Sequence, residues 1–301
     1  MTHTAPASFI IGQTEVAAPP LEPALYLVAT PIGNLADITV RALETLAAAD
    51  VLACEDTRVT RVLLERYGIR RRTFAYHEHN AAEAGPRLIT ALEDGKSVAL
   101  CSDAGTPLVS DPGFRLVGEA LDRGIRVVPL PGASAPLAAL TASGLPSDSF
   151  LFAGFLPVKA GARDSRLESL KDAPATLIFF ESPRRLDAGL AAMARVLGGE
   201  RRAVVARELT KRFEEFRRGT LDELARHYAQ AGAPRGEIVV CVAPAEGRTA
   251  PSEDDVDRLL LSLAAELPAS KAAGEAARMT GKAKSDLYRR LIELKDAGDD
   301  G

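Results

Sequence analysis

At 301 residues the chain exceeds one typical domain, and its 47% hydrophobic and 26% charged residues are the composition of a folded globular protein. A net charge of −4 excludes a uniformly basic coat for nucleic acid, and no apolar run has the roughly 20 residues that a membrane-spanning helix needs. Cys54, Cys101 and Cys241 are scattered without metal-ligand spacing and only 4 histidines are present, so no metal site is expected and the thiols read as buried in a reducing cytoplasm.

Residues 1–23 are rich in Ala, Pro and Thr and lack the basic-then-apolar order of a secretory signal; they read as a flexible extension. Ala24–Ala29 is then a buried-strand pattern leading into T-P-I-G-N (30–34), followed by helical spacing of Ile38, Val40, Leu43, Leu46 and Ala47, with Asp37 or Thr39 as cap. The rhythm repeats. Val51–Cys54 ends in E-D-T-R (55–58) before a helix that stops at Gly68, and Thr73–Tyr76 ends in H-E-H-N (77–80) before a helix that stops at Gly95. Ser97–Cys101 ends in S-D-A-G-T-P-L-V-S-D-P-G (102–113) before a helix over Phe114–Leu121, and Arg126–Leu130 is the last strand of the series. Strands alternating with helices in this way predict an open, mostly parallel α/β sheet over residues 24–131. Its polar loops then share the carboxyl edge of the sheet, where such folds bind ligands. The 102–113 loop is the most turn-rich of them, with Gly and Pro supplying special backbone angles.

From P-G-A-S-A (131–135) the pattern changes. Residues 132–244 mix hairpin and crossover spacing, with Glu214–Gly219 read as a strand folding back on Ala203–Ala206, so a second α/β domain with a mixed sheet is expected. Residues 245–253 read as a linker, and 254–301 as three helices with a helix-turn-helix rhythm about Thr280-Gly281. Basic residues cluster at 58–72, 201–218 and 271–295 although the whole chain is acidic, which suggests a polyanion bound along a path.

No G-x-G-x-x-G fingerprint, Walker A loop or G-x-S-x-G elbow occurs. The loops instead offer backbone, small residues and carboxylates. That favours a ligand whose adenine and ribose are held by main-chain groups over chemistry by a protein nucleophile.

The runs A-T-P-I-G-N-L-A-D-I-T from Ala29, C-E-D-T-R at 54–58, S-D-A-G-T-P-L-V-S-D-P-G and P-G-A-S-A closely resemble the tetrapyrrole-methylase-like (class III) S-adenosylmethionine-dependent methyltransferases. H-E-H-N at 77–80, F-A-G-F-L-P at 152–157, F-F-E-S-P-R-R at 179–185 and R-E-L-T-K at 207–211 resemble the branch that methylates the 2′-oxygen of a cytidine in the decoding centre of 16S ribosomal RNA. The likeness spans about residues 24–243, and the helical tail fits the same branch.

The resemblance implies two α/β domains with a cofactor cleft between them, plus a small helix-turn-helix-like domain that binds RNA. For S-adenosylmethionine it implies contacts from Asp103, Ala104, Gly105, Thr106, Val109, Ser134, Ala135, Phe180 and Glu181, with Pro31 and Gly33 closing one side. The tetrapyrrole enzymes have a glycine-rich first loop and commonly Asp at the position of Thr106; both departures count against a porphyrin-like substrate. Direct transfer to a ribose hydroxyl calls for positioning and for a base, with Glu55, Asp56, His77 and Glu78 as candidates. RNA contacts are expected from Arg58, Arg61, Arg184, Arg185, Arg207, Lys211, Lys282, Lys284, Arg289 and Arg290. The expected partner is 16S ribosomal RNA or the small ribosomal subunit, and a cytoplasmic homodimer without metal or membrane is implied. Two other readings stay open: a small-molecule (tetrapyrrole) C-methyltransferase of the same fold, and a ligand-sensing helix-turn-helix regulator.

Overall fold

The computed structural model describes residues 7–109, 113–245, 253–280 and 282–299. Residues 110–112 of the turn-rich loop and 246–252 of the expected linker lie outside them. The chain enters as an antiparallel hairpin, β1 (Ser8–Ile11) and β2 (Thr14–Ala17), turning at Gly12 with φ +63°. For residues 8–17 this corrects the expectation of a flexible extension over residues 1–23; residues 1–6 lie outside the described residues. Phe9 is fully buried in the same apolar cluster as Leu43, Leu46 and Leu64, and the Ile10 amide donates to the Tyr67 carbonyl at 2.8 Å. A two-stranded hairpin is marginal alone, so only its docking makes it a fixed element.

The first sheet follows the expected rhythm: β3 (Leu25–Val28), α1 (Val40–Ala48), β4 (Val51–Cys54), α2 (Thr57–Arg66), β5 (Thr73–Ala75), α3 (Ala81–Glu93), β6 (Val98–Cys101), α4 (Phe114–Asp122) and β7 (Val127–Leu130). The strand order is β5-β4-β6-β3-β7 and every pairing is parallel. The strands read as continuous apolar runs because helices bury both faces. Thr39 caps α1 by accepting from the Ala42 amide, as anticipated. The order makes β3 and β6 neighbours, which brings their two following loops together.

The second sheet comprises α5 (Ala135–Ser143), β8 (Phe150–Phe155), α6 (Ala160–Glu168), β9 (Thr176–Glu181), α7 (Leu186–Leu197), β10 (Arg202–Arg207), β11 (Glu215–Thr220), α8 (Leu221–Ala231) and β12 (Ile238–Val242). Its order is β11-β10-β12-β9-β8, antiparallel except for β8 beside β9. The expected return strand is β11, paired to β10 from Arg202↔Thr220 to Arg207↔Glu215. Thr220 and Glu223 close a capping box that starts α8 directly from that strand. The expected mixed sheet is therefore present.

Residues 244–301, with 172–174, form a separate compact unit. It holds α9 (Glu253–Glu266), α10 (Ala269–Thr280) and α11 (Lys284–Asp299) around Val256, Leu260, Ala272, Ala273, Ala276, Leu287 and Leu291. Alanines on α10 let its neighbours approach closely, which is how so short a unit buries a core. No helix among the described residues is long and apolar enough to cross a membrane.

Candidate active site

Three loops of the first sheet are knitted through their backbones. Thr30 and Gly105 exchange N–H···O bonds of 2.9 Å in both directions, and the Thr30 hydroxyl donates to the Ser102 carbonyl at 3.1 Å. Gly105 has φ +81°, where a side chain would be strained, and a Cβ there would stand 3.3 Å from Ile32 Cγ2. Thr106 Oγ1 donates to the Ala133 carbonyl at 3.3 Å, tying in the loop that starts α5. Leu108 also lies in the left-handed region, at φ 71°.

The second sheet answers with the segment after β9 and with R-E-L-T-K after β10. In the latter, Glu208 and Thr210 both take positive φ, 52° and 64°, a conformation that neighbouring structure must hold in place. Glu208 does this by donating its amide to the Glu237 carbonyl (3.0 Å) and accepting the Glu237 amide on Oε1 (3.1 Å). Lys211 Nζ completes the knot, 2.9 Å from Glu208 Oε1 and 3.1 Å from Glu237 Oε2.

Between these two sets of loops lies a cavity of about 390 Å³. The first sheet and α5 contribute Ala104, Gly105, Thr106, Val109, Ser134 and Ala135, and the second sheet contributes Phe180 and Glu181. Eight of the eleven expected cofactor residues thus share one cavity. The other three, Pro31, Gly33 and Asp103, line an adjoining cavity of about 350 Å³. Sequence reasoning missed part of the first wall: Ile32, Leu209, Ile238 and Val239, with Glu237. The signal for Glu237 is its place just before β12, but only the β10–β12 pairing brings that end beside R-E-L-T-K.

Residues 24–225 match the pattern of the Tetrapyrrole (Corrin/Porphyrin) Methylases. The chain belongs to that methylase family. Residues 250–295 match the RsmI C-terminal HTH domain. The methylase is 75% identical over 292 residues to the ribosomal RNA small subunit methyltransferase I of Mesorhizobium japonicum, covering 97% of this chain and 99% of that protein. It is 52% identical over 275 residues to the protein of the same name from Pseudomonas aeruginosa, covering 89% and 96%. These relatives place it in the ribosomal RNA small subunit methyltransferase I branch of the family. Its fold is shared with the uroporphyrin-III C-methyltransferase of Thermus thermophilus complexed with S-adenyl homocysteine, at a TM-score of 0.51 and 20% identity over 72% of this chain and 96% of that one.

In this methylase Glu181 is 3% exposed. Its Oε1 accepts the Ser182 amide at 2.8 Å and stands 3.4 Å from Arg185 Nε, while Oε2 is buried without a hydrogen-bond partner. A Cβ at Gly189 would come within 2.9 Å of that oxygen, so the glycine on α7 makes room for it. Burial pushes the Glu181 carboxyl above its ordinary range, against the pull of the Ser182 amide, Arg185 and Arg163. A carboxyl raised in the folded state favours folding of the protonated form. Its penalty is absent below the unfolded value and grows as pH rises through the folded one. Glu181→Gln should therefore leave Tm nearly unchanged at about pH 4 and raise it at about pH 7.5. A lower Tm at the higher pH, measured by calorimetry, would contradict this.

None of the four base candidates lines either cavity. Asp56 is committed elsewhere. It caps α2 by accepting the Arg58 amide at 2.8 Å and binds the Arg58 guanidinium, which holds its carboxyl down at about 2. Glu55 is half-buried beside Asp103 and His77, and burial followed by the Asp103 charge raises its carboxyl. His77 Nδ1 is buried without a partner, and Glu78 is exposed.

The expected RNA residues divide by what they already hold. Arg207 pairs with Glu215 at 2.9 Å and donates to the Arg235 carbonyl, while Arg185 donates to the Leu156 carbonyl. Arg290 braces α11 against Asp257 of α9 at 2.6 Å. These, with Lys211, are bound into the fold. Arg58, Arg61 and Arg289, at 83%, 70% and 74% exposure, hold only surface carboxylates, and Arg184, Lys282 and Lys284 are exposed. Surface pairs of that kind contribute little to stability and are readily exchanged for a phosphate.

Proposed function

We propose that this methylase transfers a methyl group from S-adenosylmethionine to the ribose 2′-oxygen of a cytidine in the decoding centre of 16S ribosomal RNA. The observation that carries the cofactor is the charge of the larger cavity. Among the described residues its walls are mostly apolar, and its two ionisable side chains, Glu181 and Glu237, are both carboxylates. The donor carries two cations, a sulfonium and an ammonium, and an adenine that suits walls such as Ile32, Leu209 and Phe180. The Gly105 turn fits as well, since the absence of a Cβ, which would crowd Ile32, keeps that wall of the cavity open. When bound, S-adenosylmethionine would supply a methyl group open to direct attack by a hydroxyl oxygen, the S–CH3 bond breaking as the O–CH3 bond forms, with the neutral thioether as leaving group and the hydroxyl proton released. The protein's part is to position the two partners in line and keep water out. Of the candidate bases Asp56 is the least suited to taking that proton, because its carboxyl is depressed and already bound to Arg58.

The ribosomal RNA substrate rests on the relatives named for it, on the motif set after β5, β9 and β10, and on the exposed basic side chains of α2 and α11. The homodimer in the cytoplasm is part of the same reading. An apolar face on α4, with Phe114 82% and Leu121 58% exposed, suits a contact between copies. The deciding measurement is transfer of labelled methyl to small subunits from cells lacking this methylase, with the product mapped by mass spectrometry. One 2′-O-methylcytidine is expected. Label on a base, or no label, would overturn the reading, and methylation of a porphyrinoid without RNA would move the protein to small-molecule chemistry.

A further inference from the structure

The adjoining cavity of about 350 Å³ lies between the T-P-I-G-N loop, the 102–104 loop and α2. On that helix Val59 and Val62, one turn apart, remain 43% and 56% exposed, and they line the cavity with Ile32 and Leu35. Exposed aliphatic pairs facing a concavity mark a binding surface more often than chance does. The polar groups of the cavity include Asp103, Lys211 and Glu237. Lys211 is pinned there: a Cβ on Gly33 would lie 2.4 Å from its Cγ, so the lysine stem rests on the glycine backbone. The two cavities share Ile32, Ala104 and Glu237 in their walls.

Next to the two valines along α2 come Arg58 and Arg61, each paired with a single carboxylate. An apolar slot with arginines on the same helix, sharing three lining residues with the larger cavity, has the parts needed to hold one nucleotide drawn out of a strand. Phosphate contacts position such a strand, and the pocket holds the base.

We infer that this second cavity is the acceptor subsite for a ribonucleotide unstacked from its RNA. The base lies against Leu35, Val59 and Val62, and the phosphates meet Arg58 and Arg61. The ribose sits at the junction, where the Glu237 carboxylate, steadied by Lys211 at 3.1 Å, accepts a hydrogen bond from the 2′-hydroxyl. The inference rests on the RNA reading above and adds where the acceptor binds and which residues hold it.

The test places a photo-crosslinking benzophenone amino acid at position 62, and separately at 59, in the full-length protein. Both are exposed positions, and unaltered S-adenosylhomocysteine binding reports that each variant is folded. Irradiation with unmethylated small subunits and S-adenosylhomocysteine should crosslink both variants to the nucleotide that the unsubstituted protein methylates, or to its immediate neighbour. A companion variant, Val62→Trp, fills the slot. It should lower kcat/KM for subunits roughly tenfold or more while S-adenosylhomocysteine affinity stays within about twofold. Crosslinks elsewhere in the RNA, or none from folded variants that bind subunits, overturn the subsite while leaving the methylation reading intact. Failure of the unsubstituted protein to methylate the RNA at all overturns both.

Discussion

Phe9→Ala should destabilise the unit of two sheets by about 3–5 kcal/mol, the usual range for deleting a fully buried aromatic. Phe9 is 0% exposed in a segment whose neighbours Ile10 and Ile11 are 40% and 42% exposed, so it is the fully buried anchor of the β1–β2 hairpin, with Val16 partly buried against the same core. Its loss leaves a cavity beside Leu43 and Leu46 and frees the hairpin from the Tyr67 carbonyl that Ile10 now bonds. In a unit of this size Tm should fall by roughly 10 °C. Urea unfolding followed by circular dichroism measures it, and a loss below about 1 kcal/mol would mean the hairpin does not dock as described.

Gly105→Val should weaken S-adenosylhomocysteine binding about 100-fold or more, which corresponds to about 2.7 kcal/mol. Two costs combine. A β-branched residue at φ +81° is strained by about 1–2 kcal/mol, and relieving that strain pulls apart the paired Thr30–Gly105 bonds that align two loops. The added methyls also meet Ile32 Cγ2, which a bare Cβ would already approach to 3.3 Å, in the wall of the larger cavity. Titration calorimetry reads the affinity, and circular dichroism checks that the fold survives. Binding within about threefold of the unsubstituted protein would remove Gly105 from the site.

Much of the architecture was legible because local rules sufficed. Continuous apolar runs ending in Gly- and Pro-rich loops marked the parallel strands, and Thr39 stood where a helix cap belongs. The small, backbone-rich character of S-D-A-G-T-P and P-G-A-S-A likewise showed which loops could cradle a ligand. The basic residues were less legible, since composition does not separate Arg290, spent on bracing α9, from Arg289, which stays exposed. Base candidates were similarly ambiguous, because lying at the end of a strand does not tell whether a carboxylate faces the cavity or caps a helix, as Asp56 does.

What the amino-acid sequence determined by itself was therefore the elements, their order and the family motifs, all of which depend on neighbours close along the chain. The tertiary structure decided three things. It docked Phe9 into a core that includes Leu43, Leu46 and Leu64, more than thirty residues away, and it set β6 beside β3 so that Thr30 could bond Gly105. It also brought Glu237 to Lys211 through the antiparallel pairing of β12 with β10. Each of these is a contact between segments remote in sequence, chosen by which buried faces fit one another, and no local pattern in the chain encodes that choice.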